Sequence, residues 1–364
     1  MTICLIGKNL TTLVLSKIFI NNGIKVDLYY YDNKISENKA ITNSRTIGLS
    51  NDSIEFLESQ RILNKKDCWE IKKINLYKGE SFKSFLNFNP KRGSFFMTSY
   101  KNLYKSLEVS LKKNKLIRAK KKSNRKFFLE SIKKKYELII ITDTNNFLFK
   151  KYFNKSIKKS YNSIAFTSII DHNNFKNNIA VQHFTKFGPL AFLPISKSQT
   201  SIVFSVFDKK LIKDKNKVLK TIEHYNKFYK IKNISELKQF PINLSLSRNY
   251  FYKNILSFGD ALHKIHPLAG QGFNMTLRDA KILSQLIKNN LDLGLNLDTI
   301  PEKFEVKRKN SNFIFAMGVD FLHEFFKTIN KYNMKSIDNL FEFINKNIFI
   351  KKKIQNFADK GFIT

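Results

Sequence analysis

The stretch ILSFGDALHKIHPLAGQGFNMTLRDA, at residues 255–280, decides which fold is expected. Its apolar start, residues 255–258, predicts a buried strand, and Gly259-Asp260 stands at the carboxyl end of that strand. A loop follows, and a helix is predicted to begin near Phe273. In open α/β sheets, ligands lie outside the carboxyl ends of the strands. The stretch therefore predicts a ligand site at a strand–loop–helix connection.

The residue types in this stretch suit a particular kind of ligand. The Asp260 carboxylate can accept hydrogen bonds from sugar hydroxyls, and Gly270 and Gly272 let backbone N–H groups approach a planar ring closely. The start of the helix offers unpaired N–H donors and a positive partial charge, which stabilises a developing negative charge. The alternative is an ordinary strand–loop–helix connection without a ligand. The combination of all these residues in one stretch disfavours it.

The N-terminal region predicts a parallel sheet. Residues 2–7 indicate a buried strand, residues 10–22 an amphipathic helix that stops at Gly23, and residues 25–30 a second strand. Such a βαβ unit opens a doubly wound sheet. A further buried strand at 138–141 ends just before Asp143, and a helix is expected at 100–112.

The middle of the chain has a different character. Four strand-like runs, at 163–170, 179–187, 190–194 and 201–207, fit an antiparallel sheet. Short strands are also expected within 70–99, a helix near 210–229, and a mostly helical tail up to residue 364.

Composition bounds the class of protein. The chain has 364 residues, of which 42% are hydrophobic, so a buried core is expected. The formal net charge is +36, but only eight of the 65 basic residues are arginines. We interpret this excess as lysine on a solvated surface, with attraction to anionic lipid as the second reading and nucleic-acid binding as the weakest. Two cysteines and the absence of an 18-residue apolar run favour a cytoplasmic protein without a membrane-spanning helix.

The stretch from Gly259 to Asn274 resembles the second FAD-binding motif of the class A flavoprotein monooxygenases. Its His-Pro-x-Ala-Gly-Gln-Gly-Phe-Asn form is similar to the subgroup that hydroxylates ubiquinone precursors. The resemblance implies that Asp260 contacts the ribityl chain of FAD. It also implies that the loop and helix start lie along the flavin ring, through Pro267, Gly270, Gln271, Gly272, Phe273 and Asn274.

Two other segments carry the resemblance further. Residues 45–50, RTIGLS, are similar to the family's Arg-x-x-x-Leu-Ser segment, which implies that Arg45 helps to hold FAD. Residues 187–194, FGPLAFLP, resemble a substrate-domain strand that passes near the flavin. The residues expected on the substrate side are Gly188, Pro189, Leu190, Phe192 and Pro194.

The first FAD motif departs from the family pattern Gly-x-Gly-x-x-Gly. Aligned on Gly7, the second and third glycine positions hold Asn9 and Thr12, and all three remain candidate cofactor-binding residues. We expect Asn9 to add bulk near the pyrophosphate and Thr12 to push the helix off the strand. Three outcomes stay open: FAD binds weakly, the loop is rebuilt around it, or catalysis is lost.

Two more positions differ in the same half of the site. Tyr30 replaces the expected ribose-binding acid, with Asp32 as a substitute, and the middle motif reads Asp143-Thr144 where Asp-Gly is usual. Asp143 is retained as a candidate cofactor contact.

The resemblance implies an α/β fold with interleaved domains. A Rossmann-like (GR2-type) FAD-binding domain is expected from residues 1–70, 100–160 and 245–300. An antiparallel β-sheet substrate domain is expected from 71–99 and 161–244, and a helical C-terminal region from 301–364.

By resemblance, the chain is an FAD-dependent monooxygenase that hydroxylates the aromatic ring of a polyprenylated phenol in ubiquinone biosynthesis. Reduced FAD, with NAD(P)H or another electron donor, and O₂ would insert one oxygen atom into the ring while the other leaves as water. The alternatives are a catalytically impaired relative that serves as a scaffold in a quinone-biosynthesis complex, or another flavin oxidoreductase of the same fold.

Partners and catalytic residues are expected as follows. The partners are a lipid-like phenol, other quinone-biosynthesis proteins and an anionic membrane surface, reached by the basic amphipathic tail at 340–354, but not nucleic acid. The protein would then lie at the periphery of the inner membrane. His263 and His266 are candidate acids or bases, and no metal site is expected because their spacing lacks a third ligand.

Overall fold

The computed structural model describes residues 1–30, 45–81, 83–89, 95–121, 135–267, 270–332 and 336–361. The strands within these ranges are β1 (Thr2–Ile6), β2 (Lys25–Tyr30), β3 (Thr46–Ser50), β4 (Trp69–Ile71), β5 (Lys73–Lys78), β6 (Leu86–Phe88), β7 (Phe95–Ser99), β8 (Ile117–Lys121), β9 (Ile139–Ile141), β10 (Ser156–His172), β11 (Ile179–Thr185), β12 (Gly188–Pro194), β13 (Gln199–Val206), β14 (Ile231–Ile234), β15 (Lys238–Ser247), β16 (Phe251–Tyr252), β17 (Ile255–Ser257) and β18 (His263–Lys264). The helices are α1 (Leu10–Asn21), α2 (Asn51–Ser59), α3 (Tyr100–Lys112), α4 (Phe147–Tyr152), α5 (Lys209–Ile212), α6 (Lys215–Tyr225), α7 (Gln271–Asp292), α8 (Ile300–Tyr332), α9 (Ser336–Lys346) and α10 (Ile348–Lys360).

A parallel sheet forms one half of the structure. Its strand order is β16-β17-β9-β1-β2-β8, and only the short hairpin strand β16 runs antiparallel. Strand β1 is buried on both faces, with Ile3 and Leu5 in the cluster beneath α1 and Cys4 and Ile6 in the opposite cluster. Burial on both faces explains why the strand is an unbroken apolar run. The carboxyl ends of β1, β9 and β17 therefore meet at one edge.

A larger sheet forms the other half. Its order is β18-β15-β10-β13-β12-β11-β5-β6, with β14 pairing β10, and all its pairings are antiparallel except β11 with β5. Helix α6 covers one face, where Val218 and Ile222 pack with Phe192 and Phe204. The opposite face lies toward α7 and α8, because Leu244 of β15 packs with residues of both helices.

A small antiparallel sheet, β3-β7-β4, lies between the two halves. Strand β3 contacts α7, and its Thr46 Oγ1 lies 2.9 Å from Ser201 Oγ of β13. The last helix returns to this region, because the Asp359 carbonyl accepts a hydrogen bond from Ser50 Oγ at 3.0 Å. The predicted combination of parallel sheet, antiparallel sheet and helical C-terminal segment is confirmed. The domain boundaries themselves stay a prediction.

One predicted helix is in fact two. The expected helix near 210–229 is divided into α5 and α6, because two aspartates each begin a helix. Asp208 Oδ1 accepts from the Leu211 N–H at 2.7 Å, and Asp214 Oδ1 accepts from the Lys217 N–H at 3.1 Å. In the part of the chain that the structure describes, no helix combines the length and hydrophobicity needed to cross a bilayer.

Candidate active site

The turn after β17 touches the start of α1. Gly259 has φ +65°, and a Cβ there would lie 2.9 Å from Cγ2 of Thr11, so the two segments are in close contact. Asp260 follows in a 3₁₀ turn, is exposed, and forms no hydrogen bond with any described residue. Its carboxylate is therefore free to accept hydrogen bonds at the edge where the parallel strands end.

The start of α7 is held against β3. Gly270 begins the helix in the left-handed region at φ +64°, and its Cβ position would lie 3.6 Å from the backbone of Gly48. Asn274 is fully buried; its Nδ2 donates to the Gly48 carbonyl at 3.0 Å and its Oδ1 accepts from the Ser50 N–H at 2.9 Å. Asn274 thus fixes the distance between the helix start and the strand.

This helix start has the properties of an anion-stabilising end. Helix α7 is 22 residues long, and no side chain of the described residues caps its first turn. Gln271 is 6% exposed, and its Oε1 is buried without a hydrogen-bond partner among the described residues. Gly272 and Phe273 continue the same turn, Pro267 precedes it, and Leu268 and Ala269 lie outside the described residues. A buried polar atom without a hydrogen-bond partner, such as this Gln271 oxygen, points to a ligand here.

The β1–α1 loop has been rebuilt by side chains. Asn9 has an extended backbone, φ −141°, and its Oδ1 accepts from the Thr12 N–H at 3.0 Å, so it caps α1. Its Nδ2 donates to the Thr142 carbonyl and to Thr142 Oγ1, both at 3.1 Å. Thr12 Oγ1 lies 2.6 Å from Thr142 Oγ1. The expectation that Thr12 pushes the helix away is wrong, because the Thr12 hydroxyl is buried in a hydrogen bond with the Thr142 hydroxyl.

Gly7 still needs to be glycine. Its φ is +140°, and a Cβ would lie 2.3 Å from Thr142 Oγ1. Asp143 lies beside it, since that Cβ would come within 3.5 Å of the Asp143 side chain, and Asp143 Oδ1 accepts from the Asn145 N–H at 2.8 Å. Gly7, Asn9, Thr12 and Asp143 are thus brought together.

The position expected to bind ribose carries Tyr30 in contact with Lys8, and not an acid. Tyr30 ends β2, and Lys8 Nζ lies 5.1 Å from the centre of its ring. Asp32, the suggested substitute, lies outside the described residues. Arg45 is exposed, and its guanidinium lies 4.6 Å from the Tyr100 ring centre, so the structure gives it an aromatic partner next to β3.

His263 belongs to a buried charge network that the sequence did not reveal. Its Nε2 donates to Asp279 Oδ2 at 2.7 Å, while Arg308 Nε donates to Asp279 Oδ1 at 2.6 Å. Asn312 Nδ2 adds bonds of 3.0 and 3.1 Å. Burial alone would raise the pKa of Asp279, but the Arg308 charge and the His263 hydrogen bond lower it below its usual value. This network joins β18, α7 and α8, so His263 has a structural partner.

His266 sits in a different environment, next to Pro267. It is fully buried, neither ring nitrogen has a hydrogen-bond partner among the described residues, and it stacks on His323 at 4.1 Å. Tyr161 packs edge-on against both rings, and its hydroxyl donates to Asp320 Oδ1 at 2.6 Å. Burial, reinforced by His323, lowers the pKa of His266 to about 3. His266 is therefore a neutral imidazole at ordinary pH.

We expect this histidine to make the fold sensitive to acid. An unfolded histidine has a pKa near 6.5. Below pH ~6.5 the unfolded chain therefore binds a proton that folded His266 rejects down to about pH 3. The free energy of unfolding should thus fall with pH across this window, by up to about 1.4 kcal/mol per pH unit. Urea titrations from pH 7 to pH 4 should show a shallower fall in His266→Phe, whereas the exposed His224→Gln should keep the original slope. Equal slopes in all three proteins would contradict this.

The residues of strand β12 do not all lie where the sequence predicted a substrate-facing surface. Its residues alternate between faces, so Leu190 and Phe192 point into the core beneath α6. Pro189 instead lines a small cavity with His323, and Leu193 packs with the cluster around Phe95. Gly188 and Pro194 are buried at the two ends of the strand. The predicted run Gly188, Pro189, Leu190, Phe192 and Pro194 therefore cannot form a single wall, because Pro189 lies on the opposite face of the sheet from the other four.

The fold is that of FAD-dependent monooxygenases. It matches a crystal structure of p-nitrophenol 4-monooxygenase PnpA from Pseudomonas putida DLL-E4 with a TM-score of 0.77 and 10% identity, covering 99% of this chain and 98% of that one. Klebsiella pneumoniae HpxO, solved with FAD and uric acid, matches with a TM-score of 0.72 and 11% identity, over 99% of this chain and 96% of that one.

The chain belongs to the squalene epoxidase family, whose model matches residues 135–354, more than half of its length. Ubiquinone biosynthesis monooxygenase COQ6 of Xenopus tropicalis is 27% identical, over 42% of this chain and 42% of the relative. The 3-demethoxyubiquinol 3-hydroxylase of Escherichia coli K12 is 28% identical, over 39% of this chain and 38% of the relative. The matched region thus spans about two fifths of these curated relatives. The predicted class of protein is confirmed.

Proposed function

We propose that the chain is an FAD-dependent monooxygenase that hydroxylates the aromatic ring of a polyprenylated phenol in ubiquinone biosynthesis. The observation that carries the proposal is the uncapped start of α7, which Asn274 holds against β3. The relatives named as ubiquinone-biosynthesis hydroxylases support the substrate class.

The residues present fit the ring end of FAD. The first-turn N–H groups of α7 and the unpartnered Gln271 oxygen offer polar contacts, and Gly270 leaves the backbone open to a flat ring. Exposed Asp260 would bind the ribityl hydroxyls. When bound, FAD reduced by NAD(P)H or another donor would supply the oxygen-transfer chemistry with O₂.

The protein's own part in this reaction is placement and electrostatics. The positive end of α7 stabilises negative charge that develops beside it. Buried His266, next to Pro267, is neutral at ordinary pH and so brings no charge to this region.

The rebuilt loop gives a prediction that concerns FAD alone. Asn9→Gly would remove the side chain that now caps α1 and binds Thr142, and it would restore a glycine where the pyrophosphate is expected to approach. We expect several-fold tighter FAD binding, with a loss of about 1–2 kcal/mol in stability, because a glycine cap costs only a few tenths but the bonds to Thr142 are lost as well. Flavin fluorescence titrations would measure the dissociation constants of FAD and riboflavin. Riboflavin lacks the nucleotide end, so an equal gain for both would contradict the explanation.

The C-terminal helices support the proposed contact with an anionic membrane surface. Phe343 of α9 and Ile348 and Phe349 of α10 are 57%, 81% and 65% exposed. Lysines at 351–353 follow directly. Exposed apolar side chains beside cations suit a bilayer interface that holds a lipid-like substrate, with the protein at its periphery. Other quinone-biosynthesis proteins remain proposed partners.

Purification with excess FAD tests the function. A yellow protein that consumes NAD(P)H and O₂ and adds one oxygen atom to a short-chain polyprenylphenol, detected by mass spectrometry, is the expected result. A cell that lacks the protein should accumulate the corresponding precursor. A protein that binds FAD but consumes no O₂ with such a phenol would overturn the substrate class. One that cannot be reconstituted would favour the scaffold alternative.

A further inference from the structure

A large cavity lies at the edge of the antiparallel sheet, apart from the start of α7. Its volume is about 690 Å³, within the range of about 300–1,000 Å³ that is typical of small-molecule sites. The turn after β5, the end of β11, α6 and α9 enclose it, through residues that include Lys83, Phe85, Phe184, Lys186 and Tyr225.

The floor of this cavity is aromatic. Phe85 packs on Phe341 of α9 with ring centres 4.4 Å apart, and Phe184 stacks on Phe326 of α8 at 3.7 Å. These contacts fix two flat apolar surfaces at the base of the cavity. A hydrocarbon chain would find dispersion contacts and exclusion from water there.

The rim of the cavity carries more basic than acidic side chains, with three lysines and two glutamates. Lys83 and Lys186 are exposed, and neither forms an ion pair with any described residue. The two acids of the rim are Glu80, which lies 3.2 Å from His224 Nε2, and Glu342, which lies 2.8 Å from Lys346 Nζ and also interacts electrostatically with Lys83. An anionic group at the rim would therefore meet two exposed ammonium groups, those of Lys83 and Lys186.

Hydrogen bonds between neighbouring segments hold the shape of the cavity. Asn345 Nδ2 donates to the Phe85 carbonyl at 2.6 Å, and Asn345 Oδ1 accepts from the Asn87 N–H at 3.4 Å. Lys227 Nζ donates to the Glu80 carbonyl. The β5–β6 turn is thus tied to α9 on one side and to the segment after α6 on the other, so the space is built into the fold.

We propose that this cavity binds an anionic amphiphile, with its charged group between Lys83 and Lys186 and its hydrocarbon chain on Phe85 and Phe184. A free fatty acid and an anionic phospholipid share this chemistry. The proposal does not depend on flavin binding or hydroxylase activity. Phe184 also lines the small cavity that contains His323, so an occupant would lie one side chain away from the histidine pair next to Pro267.

Binding of cis-parinaric acid, an 18-carbon anionic probe that fluoresces in apolar surroundings, tests the proposal on the full chain without added flavin. We expect saturable binding that oleate displaces at least about tenfold better than oleyl alcohol, because loss of charge-assisted contacts is worth that much. The double variant Lys83→Gln/Lys186→Gln should bind the probe about tenfold more weakly. Its circular dichroism and melting temperature should match those of the parent, since both side chains are exposed.

The matched control removes the same charge elsewhere. Lys112→Gln/Lys113→Gln alters two exposed lysines at the end of α3 and should bind the probe like the parent. Equal weakening in both double variants, or equal displacement by oleate and oleyl alcohol, would overturn the proposal. Displacement by phosphatidylglycerol vesicles would support it with a membrane lipid as occupant, and displacement by oleate alone would support it with a free fatty acid.

Discussion

Replacing Asp279 with alanine should lower the free energy of unfolding by about 3–5 kcal/mol. The carboxylate is fully buried between His263 and Arg308, and its removal leaves the Arg308 guanidinium largely buried without a counter-charge. Asn312 would lose its two bonds to the same carboxylate. Chemical denaturation of the purified variant at pH 7 measures the effect.

Two comparisons isolate the buried charge as the cause. Asp52→Ala breaks an ion pair between α2 and α7 whose Lys281 partner is 39% exposed, and it should cost no more than about 1 kcal/mol. In the double variant Asp279→Leu/Arg308→Met the unpaired charge is gone, so it should be more stable than Asp279→Ala alone. If Asp279→Ala cost as little as Asp52→Ala, the network would not stabilise the fold.

Replacing Asn274 with leucine should weaken flavin binding about a hundredfold. The side chain satisfies the Gly48 carbonyl and the Ser50 N–H, and losing both bonds is worth about 3 kcal/mol. Without them the start of α7 is no longer fixed against β3, so the proposed cradle for the ring opens. Fluorescence titration with FAD and with riboflavin measures the loss, and both ligands should weaken, because both carry the ring.

The same helix provides the control. Asn290, near the other end of α7, is also buried, and its Nδ2 donates to the Asn296 carbonyl at 2.7 Å. Asn290→Leu should destabilise the protein to a similar degree while flavin affinity stays unchanged. Equal losses of affinity in the two variants would mean that the effect of Asn274 is one of general stability, and the proposed position of the ring would be wrong.

Local signals in the sequence were sufficient for much of the fold. Helix α3 lies at residues 100–112 as expected, because Ser99 caps it and its apolar residues recur at helical spacing. The parallel strands were recognisable because burial on both faces demands continuous apolar runs. The division of α5 from α6 was missed, since an aspartate inside a polar helix is ambiguous until its cap geometry is seen.

The candidate site was less predictable because its key contacts join distant segments. Asn9 and Thr12 looked like defects in a glycine motif, and only their bonds to Thr142, about 130 residues away, show that the loop is rebuilt. The structural role of His263 likewise depends on distant residues, because it and Arg308 both donate to Asp279. Such partners leave no periodic signal in the sequence, whereas the glycines and Asn274 stood in one continuous string.

The order of strands in the parallel sheet has a consequence for how the chain folds as it is synthesised. Strand β1 pairs with β9, and β9 pairs with β17, so the sheet cannot close until residue 257 has left the ribosome. Until then the apolar strand β9, paired with β1 on one side, lacks a neighbour on the other. Non-local pairing is slow and leaves unpaired strand edges exposed, so the nascent chain should depend on chaperones. For the same reason, halves of the protein expressed separately should aggregate.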